Sequence, residues 1–238
     1  MQLRRLAPKW LRSRFRIRLA AERASAFRCA LIGKTLPEAA AAVCDSRLEF
    51  CAGQRDDEIV PFLRWAGDAP IRRILEIGSA RGGNLLLLSM AAKPDANLVS
   101  IDWDDDPCRP AVYRRLVAPT QTLASIHGNS QSREIFLQVG EALGNELLDL
   151  LFIDGDHSYV GVKSDFENYS QLVREGGVIA FHDIVPDARQ RFGLETPSDS
   201  GGVPKFWAEL KAKHSDWKEF VSDPDQDGFG IGALRWRG

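Results

Sequence analysis

Two apolar runs of this chain end in groups that can bind protons or cations. "LLDLLFID" continues into Gly155, Asp156 and His157, and "GGVIAFHD" closes on His182 and Asp183. Together they supply Asp154, Asp156, His157, His182 and Asp183. Side chains from two adjacent strand ends can converge, and carboxylates gathered in a buried place are unfavourable unless something positive joins them. A hard divalent cation is the natural partner, since magnesium takes carboxylate oxygens and keeps waters that hydroxyls can replace. An imidazole in the set suits manganese, iron or zinc better, which leaves the metal's identity open. His157 is of the one type whose ordinary pKa lies near neutrality. It can exchange a proton, or instead orient its loop by hydrogen bonding to a neighbouring carboxylate.

A second constellation follows earlier runs. "ILEIGSARGGN" gives the pattern E-x-G-x-x-x-G through Glu76, Gly78, Ser79 and Gly82, with Ala80 in the place of the middle glycine of a dinucleotide loop. Asp102 ends "NLVSID", where a carboxylate can take both ribose hydroxyls of an adenosine, and Trp103 beside it offers a ring to the adenine. "GNSQS" follows a third run and holds Ser130 and Gln131; Ser130 also reads as an N-cap ahead of "REIFLQ".

The elements that would position these groups are parallel strands. From residue 71, the runs "IRRILEIG", "NLVSID", "LASIHG", "LLDLLFID" and "GGVIAFHD" alternate with helix-length segments (84–92, 109–117, 132–143 and 159–174). Strands apolar on both faces and joined by helices predict a doubly wound α/β sheet, in which ligands bind beyond the carboxyl ends. Gly176 and Gly177 read as a helix stop. A Pro-, Gly- and Ser-rich loop (186–204), a helix at "KFWAELKAKH" and two strand-like runs joined by "PDQDG" predict an antiparallel hairpin on the sheet edge, for seven strands in all. Residues before 70 read as helices capping the pocket.

With 238 residues, 44% of them hydrophobic, the chain can bury a sizeable core, and its 31 basic against 33 acidic residues give no overall field to attract nucleic acid. Cys29, Cys44, Cys51 and Cys108 fall without a C-x-x-C pair, which argues against a disulfide framework or zinc knuckle and predicts a reducing, cytoplasmic setting. No apolar run reaches the ~20 residues of a membrane span, and no signal-peptide core is present. The first 23 residues carry eight basic residues (Arg4, Arg5, Lys9, Arg12, Arg14, Arg16, Arg18 and Arg23) against Glu22 alone. With Trp10, Leu11, Phe15 and Leu19 mostly at helical spacing, they read either as a surface-packed helix or as a basic amphipathic one in peripheral contact with a membrane.

"ILEIGSARGG", "VSID", "GNSQS" and "FIDGDHSYVGVKSDFENYSQLVREGGVIAFHDI" resemble class I S-adenosylmethionine-dependent methyltransferases. Within that class they are similar to the divalent-metal-dependent O-methyltransferases, which include catechol O-methyltransferase and the macrolide-sugar and cephalosporin-pathway enzymes. The likeness covers roughly residues 70 to 236, so residues 70–238 are expected to be the methyltransferase domain and 1–69 a basic N-terminal segment and helical cap. The resemblance implies a Rossmann-like sheet. It places Gly78, Ser79 and Gly82 around the methionine part of the cofactor, with Glu76 shaping that loop. Asp102 would hold the ribose, Ser130 and Gln131 would edge the adenine, and Asp154 would face both cofactor and metal. The family's metal ligands fall on Asp154, His182 and Asp183, although many relatives carry an acid where this chain has His182. Asp156 falls on the base position of the sugar methyltransferases, with His157 as its rival.

The implied reaction is methyl transfer to a hydroxyl of a small molecule, sugar or other glycan. A nicotinamide-dependent oxidoreductase would want the missing central glycine and a Tyr-x-x-x-Lys pair. A nucleic-acid methyltransferase would want an N-P-P-Y-type motif and a basic catalytic domain, so no nucleic-acid partner is expected. A homo-oligomer is compatible with the sequence.

Overall fold

Runs of branched residues become strands of one sheet: β1 (Arg73–Ile77), β2 (Asn97–Asp102), β3 (Thr122–His127), β4 (Leu148–Ile153), β5 (Val173–His182), β6 (Trp217–Phe220) and β7 (Ile231–Arg235). The computed structural model describes residues 9–45 and 47–238. β4, "LDLLFI", is buried at every position because both its faces are covered. Its Leu150 and Phe152 join Ile74 of β1 in one core, and its Leu151 and Ile153 join Leu75 and Ile77 in the core on the other side.

The strand order is β3-β2-β1-β4-β5-β7-β6, with the first five parallel and β7 antiparallel to both β5 and β6. Register pairs Ile77 with Ile101 and with Ile153, and Ile153 with Phe181. Gly78, Asp102, Asp154 and His182 therefore leave the sheet along one edge. After β3 the chain returns to the far side of β1, so β1 and β4 flank the topological switch point where such sheets form their crevice.

The helices are α1 (Lys9–Ala30), α2 (Leu36–Val43), α3 (Asp56–Ala66), α4 (Gly83–Ala91), α5 (Arg109–Leu116), α6 (Arg133–Ala142), α7 (Tyr159–Tyr169), α8 (Ala188–Phe192) and α9 (Val203–Lys213). Ala20, Ala24, Ala39, Ala40, Phe62 and Leu63 of the first three share the core that holds Ile74 and Phe152. Among the described residues the four cysteines are unbridged.

Two local expectations are corrected. Gly176 and Gly177 do not stop a helix: α7 ends at Tyr169, a 3₁₀ turn covers Ser170–Leu172, and β5 already begins at Val173. Gly176, at φ +74°, lies where the β4–β5 register shifts, so the glycines serve a bulge inside the strand. The β6–β7 connection runs over residues 221–230, longer than the "PDQDG" turn, and folds back on the strand ends. In α1 the inward face is formed by Ile17, Ala20, Ala24 and Phe27, whereas Phe15 and Leu19 are 50% and 39% exposed. Arg4, Arg5 and the side chains of Lys9, Trp10, Leu11 and Arg12 lie outside the described residues.

Candidate active site

The glycine loop after β1 is shaped by its neighbours. Gly78 has φ +88°, and a Cβ there would stand 1.9 Å from the Asp154 carbonyl oxygen, so only glycine lets the β1 and β4 ends approach this closely. Glu76 is fully buried beneath the loop and accepts hydrogen bonds from Ser79 Oγ and from Asn84 Nδ2 at 2.8 Å. Burial pushes its carboxyl up to about 8, against the pull of those two donors. Ser79 Oγ also meets Ser100 Oγ at 2.7 Å.

Asp102 binds this loop as well: its Oδ2 accepts the Ala80 N–H at 2.5 Å and its Oδ1 the Asp104 N–H at 2.9 Å. Tyr113 of α5 donates its hydroxyl to the Ala80 carbonyl at 2.6 Å, holding Ala80 at φ +43°. Trp103, 85% exposed, projects from the same corner. Ser130 does not cap a helix. Ser132 caps α6 through the Ile135 N–H, and the Ser130 hydroxyl turns inward to Asp165 Oδ1 at 2.7 Å. Burial raises the Asp165 carboxyl to about 6.

At the β4 and β5 ends, Asp154, His182 and Asp183 each offer a ligand atom within 4.8 Å of the others. His182 Nδ1 lies 3.2 Å from Asp154 Oδ1 and 3.3 Å from Asp183 Oδ2. His157 joins them, with Nε2 3.3 Å from Asp154 Oδ1 and Nδ1 3.6 Å from Asp183 Oδ2; the same Nδ1 is 2.6 Å from the Asp199 carbonyl oxygen, which can only accept. Asp183 is held at φ +60°, a conformation a non-glycine residue adopts at a cost, and its Oδ1 accepts the Phe229 N–H at 2.8 Å.

The charges are mutually dependent. Burial alone would raise the Asp154 carboxyl, yet the His182 and His157 imidazoles hold it well below the usual carboxylate range. Burial disfavours charge on both imidazoles, but the Asp154 and Asp183 carboxylates overcome it, raising His157 to about 9 and moving His182 upward as well. Among the described residues, His182 Nε2 is buried with no hydrogen-bond partner. Two carboxylates and an imidazole converging in one buried place, one nitrogen of which is unsatisfied, form a donor set that fits a small divalent cation.

Asp156 is not brought into this group. Its Oδ1 accepts the Ser158 N–H at 2.9 Å at the start of α7, and its Oδ2 accepts Gln131 Nε2 at 3.0 Å, on the side of the "GNSQS" loop. The outward turn has a steric reason, since Asp156 fills the space a side chain at Gly161 would need. Of the two base candidates, His157 is the one adjoining the carboxylates.

Two groups from the N-terminal segment also reach the site without any sequence signature. Gln54, 3% exposed, donates from Nε2 to Asp154 Oδ2 at 2.7 Å, and among the described residues its Oε1 is buried without a partner. Glu58 of α3, fully buried, accepts from the 221–230 connection. No local motif marks either one; a buried glutamine and glutamate in a helical cap have no periodic signature. Beside Gln54 lies a cavity of about 370 Å³, lined among others by Cys44, Cys51, Arg55, Asp56 and Phe229. A larger one, about 540 Å³, is lined by Trp65, Asp68, Asp216, Arg235 and Arg237 and includes none of the strand-end groups.

Residues 75–184 match the family model described as a methyltransferase domain. An uncharacterized protein, R132, of Acanthamoeba polyphaga mimivirus is 33% identical over 152 residues, covering 60% of this chain and 63% of that protein. The chain thus spans less than two thirds of that curated relative. Among solved structures, the O-methyltransferase TomG of Streptomyces achromogenes, involved in tomaymycin synthesis and solved with S-adenosylmethionine, superposes with a TM-score of 0.56 at 21% identity, covering 86% of this chain and 90% of its own. MycE methyltransferase of the mycinamycin pathway, solved with Mg, S-adenosylhomocysteine and mycinamycin VI, gives a TM-score of 0.54 at 14% identity, covering 84% of this chain and 54% of its own. At these identities the two structures establish the shared fold.

Proposed function

Starting from residues 75–184 as a methyltransferase domain, we propose that this chain transfers a methyl group from S-adenosylmethionine to a hydroxyl of a small molecule, with a divalent cation held by Asp154, His182 and Asp183. The observation that carries the reading is the division of the strand-end groups about the switch point. Gly78, Asp102 and the "GNSQS" loop line the β1–β3 side, and the carboxylate–imidazole cluster stands on the β4–β5 side. A donor and an acceptor placed on the two sides meet over the β1 and β4 ends, which is what an in-line displacement at a sulfonium methyl requires. Cofactor-bound TomG and Mg-containing MycE support the same pairing of ligands.

In this reading Gly78, Ser79 and Gly82, over Glu76, receive the methionine part. Asp102 takes the ribose, Trp103, Ser130 and Gln131 border the adenine, and Asp154 lies between cofactor and acceptor. The acceptor enters through the cavity beside Gln54 and Phe229. A divalent cation at the cluster would supply Lewis acidity to the acceptor hydroxyl and match the carboxylate charge that raises His157. His157 then takes the hydroxyl proton at Nε2, because the Asp199 carbonyl holds a proton on Nδ1. Asp156 holds Gln131 and the start of α7. The carboxylate and imidazole cluster favours an acceptor with neighbouring hydroxyls, as on a sugar or related polyol.

Calorimetry tests the cofactor half. Asp102→Ala should weaken S-adenosylmethionine binding by roughly ten- to a hundredfold, since the ribose hydroxyls lose a charged acceptor worth about 1.5–3 kcal/mol. Tight NADH binding with none of S-adenosylmethionine would overturn the assignment.

A separate observation favours peripheral membrane contact. Phe15 and Leu19, one helical turn apart and half-exposed on α1, stand among exposed Arg14, Arg16 and Arg18. Among the described residues no helix is long and apolar enough to cross a membrane. Such a face suits an anionic lipid surface, each arginine contributing about 1 kcal/mol. Phe15→Ser with Leu19→Ser, which spares the inward Ile17 and Ala20, should abolish salt-sensitive binding to phosphatidylserine vesicles. Equal binding by variant and wild type, or none by either, returns α1 to a packing role.

A further inference from the structure

We propose that Gln54 and Glu58, which lie outside the methyltransferase-domain match, brace the two candidate metal carboxylates from the N-terminal side and so set divalent-metal affinity. This rests on the reading that Asp154, His182 and Asp183 take a cation.

Gln54 acts directly. Its amide donates to Asp154 Oδ2 at 2.7 Å, leaving Oδ1 to face His182 and His157. The segment bearing it is fixed by close backbone approach, since a Cβ on Gly83 would stand 2.2 Å from the Ala52 nitrogen. The amide is therefore pinned between α4 and the end of β4.

Glu58, four residues on, acts through the 221–230 connection. Its Oε1 accepts the Ser222 N–H at 3.1 Å and Gln226 Nε2 at 2.7 Å, and its Oε2 accepts the Gly230 N–H at 2.9 Å. Those bonds clamp the connection on both sides of Phe229. Phe229, itself at φ +60°, donates its N–H to Asp183 Oδ1 and its carbonyl accepts the Val185 N–H at 3.0 Å. Two left-handed non-glycine residues, Asp183 and Phe229, face each other across a single hydrogen bond. Such backbone persists only when its surroundings over-determine it, and the carboxylate of Glu58 is a central part of those surroundings. Partners that orient ligand carboxylates govern affinity without touching the ion, their loss costing about 10–100-fold.

The test is a titration of the full-length chain with Mn²⁺, following free Mn²⁺ by electron paramagnetic resonance, with S-adenosylmethionine affinity measured in parallel by calorimetry. Gln54→Leu and Glu58→Gln should each weaken Mn²⁺ binding by about tenfold or more, with S-adenosylmethionine affinity within about twofold of wild type. Asp95→Asn, altering an exposed residue paired with Arg72 and away from the connection, should leave both unchanged. Parallel losses of both ligands in the two variants would indicate general loosening and overturn the bracing role. Wild-type Mn²⁺ affinity in the variants would overturn it while leaving the metal reading intact. A wild-type chain that binds no Mn²⁺ overturns the metal reading and the bracing with it. If Glu58→Gln does not fold, Gln54→Leu decides alone, because among the described residues the Gln54 side chain bonds only to Asp154.

Discussion

Asp183→Ala is expected to abolish most methyl transfer while leaving the cofactor bound. The side chain is buried, its Oδ1 is held by the Phe229 N–H and its Oδ2 faces His182, so alanine removes one of the three converging ligand groups and nothing on the Gly78–Asp102 side. Activity at modest metal concentration should fall by roughly 10²-fold or more, because a Lewis-acid contribution of several kcal/mol is at stake and about 1.4 kcal/mol is tenfold. High metal should restore part of it. Asp154→Ala should lose more, since Asp154 is also the partner of Gln54, His157 and His182. Chelation is the control: once adventitious metal is removed, wild-type turnover in excess EDTA should be near background. Full turnover there would sink the metal assignment and leave the cofactor assignment standing.

His157→Gln is the second large effect. Glutamine can span part of the distance between the Asp199 carbonyl and Asp154 but cannot accept a proton as imidazole does. Turnover should drop by about 10²–10⁴-fold, the usual contribution of a positioned base, with the acid limb of the pH–rate profile removed. Mn²⁺ binding should change far less than in Asp183→Ala. Asp156→Asn provides the contrast, since its carboxylate is engaged by Gln131 and the Ser158 N–H. Its turnover should stay within about tenfold of wild type, with the KM for S-adenosylmethionine rising because Gln131 loses its partner. If Asp156→Asn proves the more damaging change and His157→Gln is mild, the two roles are reversed.

How these groups came to be legible differs from residue to residue. Asp102, Asp154 and His182 could be placed together from the sequence because parallel strands with helical crossovers must end along one edge, whatever the side chains between them. Gly78 was legible for a related reason: a glycine directly after a buried strand signals a turn, and here the neighbouring backbone of Asp154 leaves no room for a Cβ. Direction within a loop was not legible. Asp156 and His157 are consecutive, and only packing against Gly161 and the Asp199 carbonyl turned one outward and the other toward the carboxylates. Gly176 misled because a glycine pair after a helical pattern is equally suited to a cap or a bulge, and pairing with β4 decided for the bulge. Gln54 and Glu58 were silent, being 100 residues or more in sequence from the groups they serve; their partners exist only once α3 has packed on the sheet. The sequence by itself determined the edge where chemistry can occur, because strand polarity is a local property. Which side chains face one another there was decided by tertiary contacts, because side-chain direction in loops depends on the space that distant segments leave open.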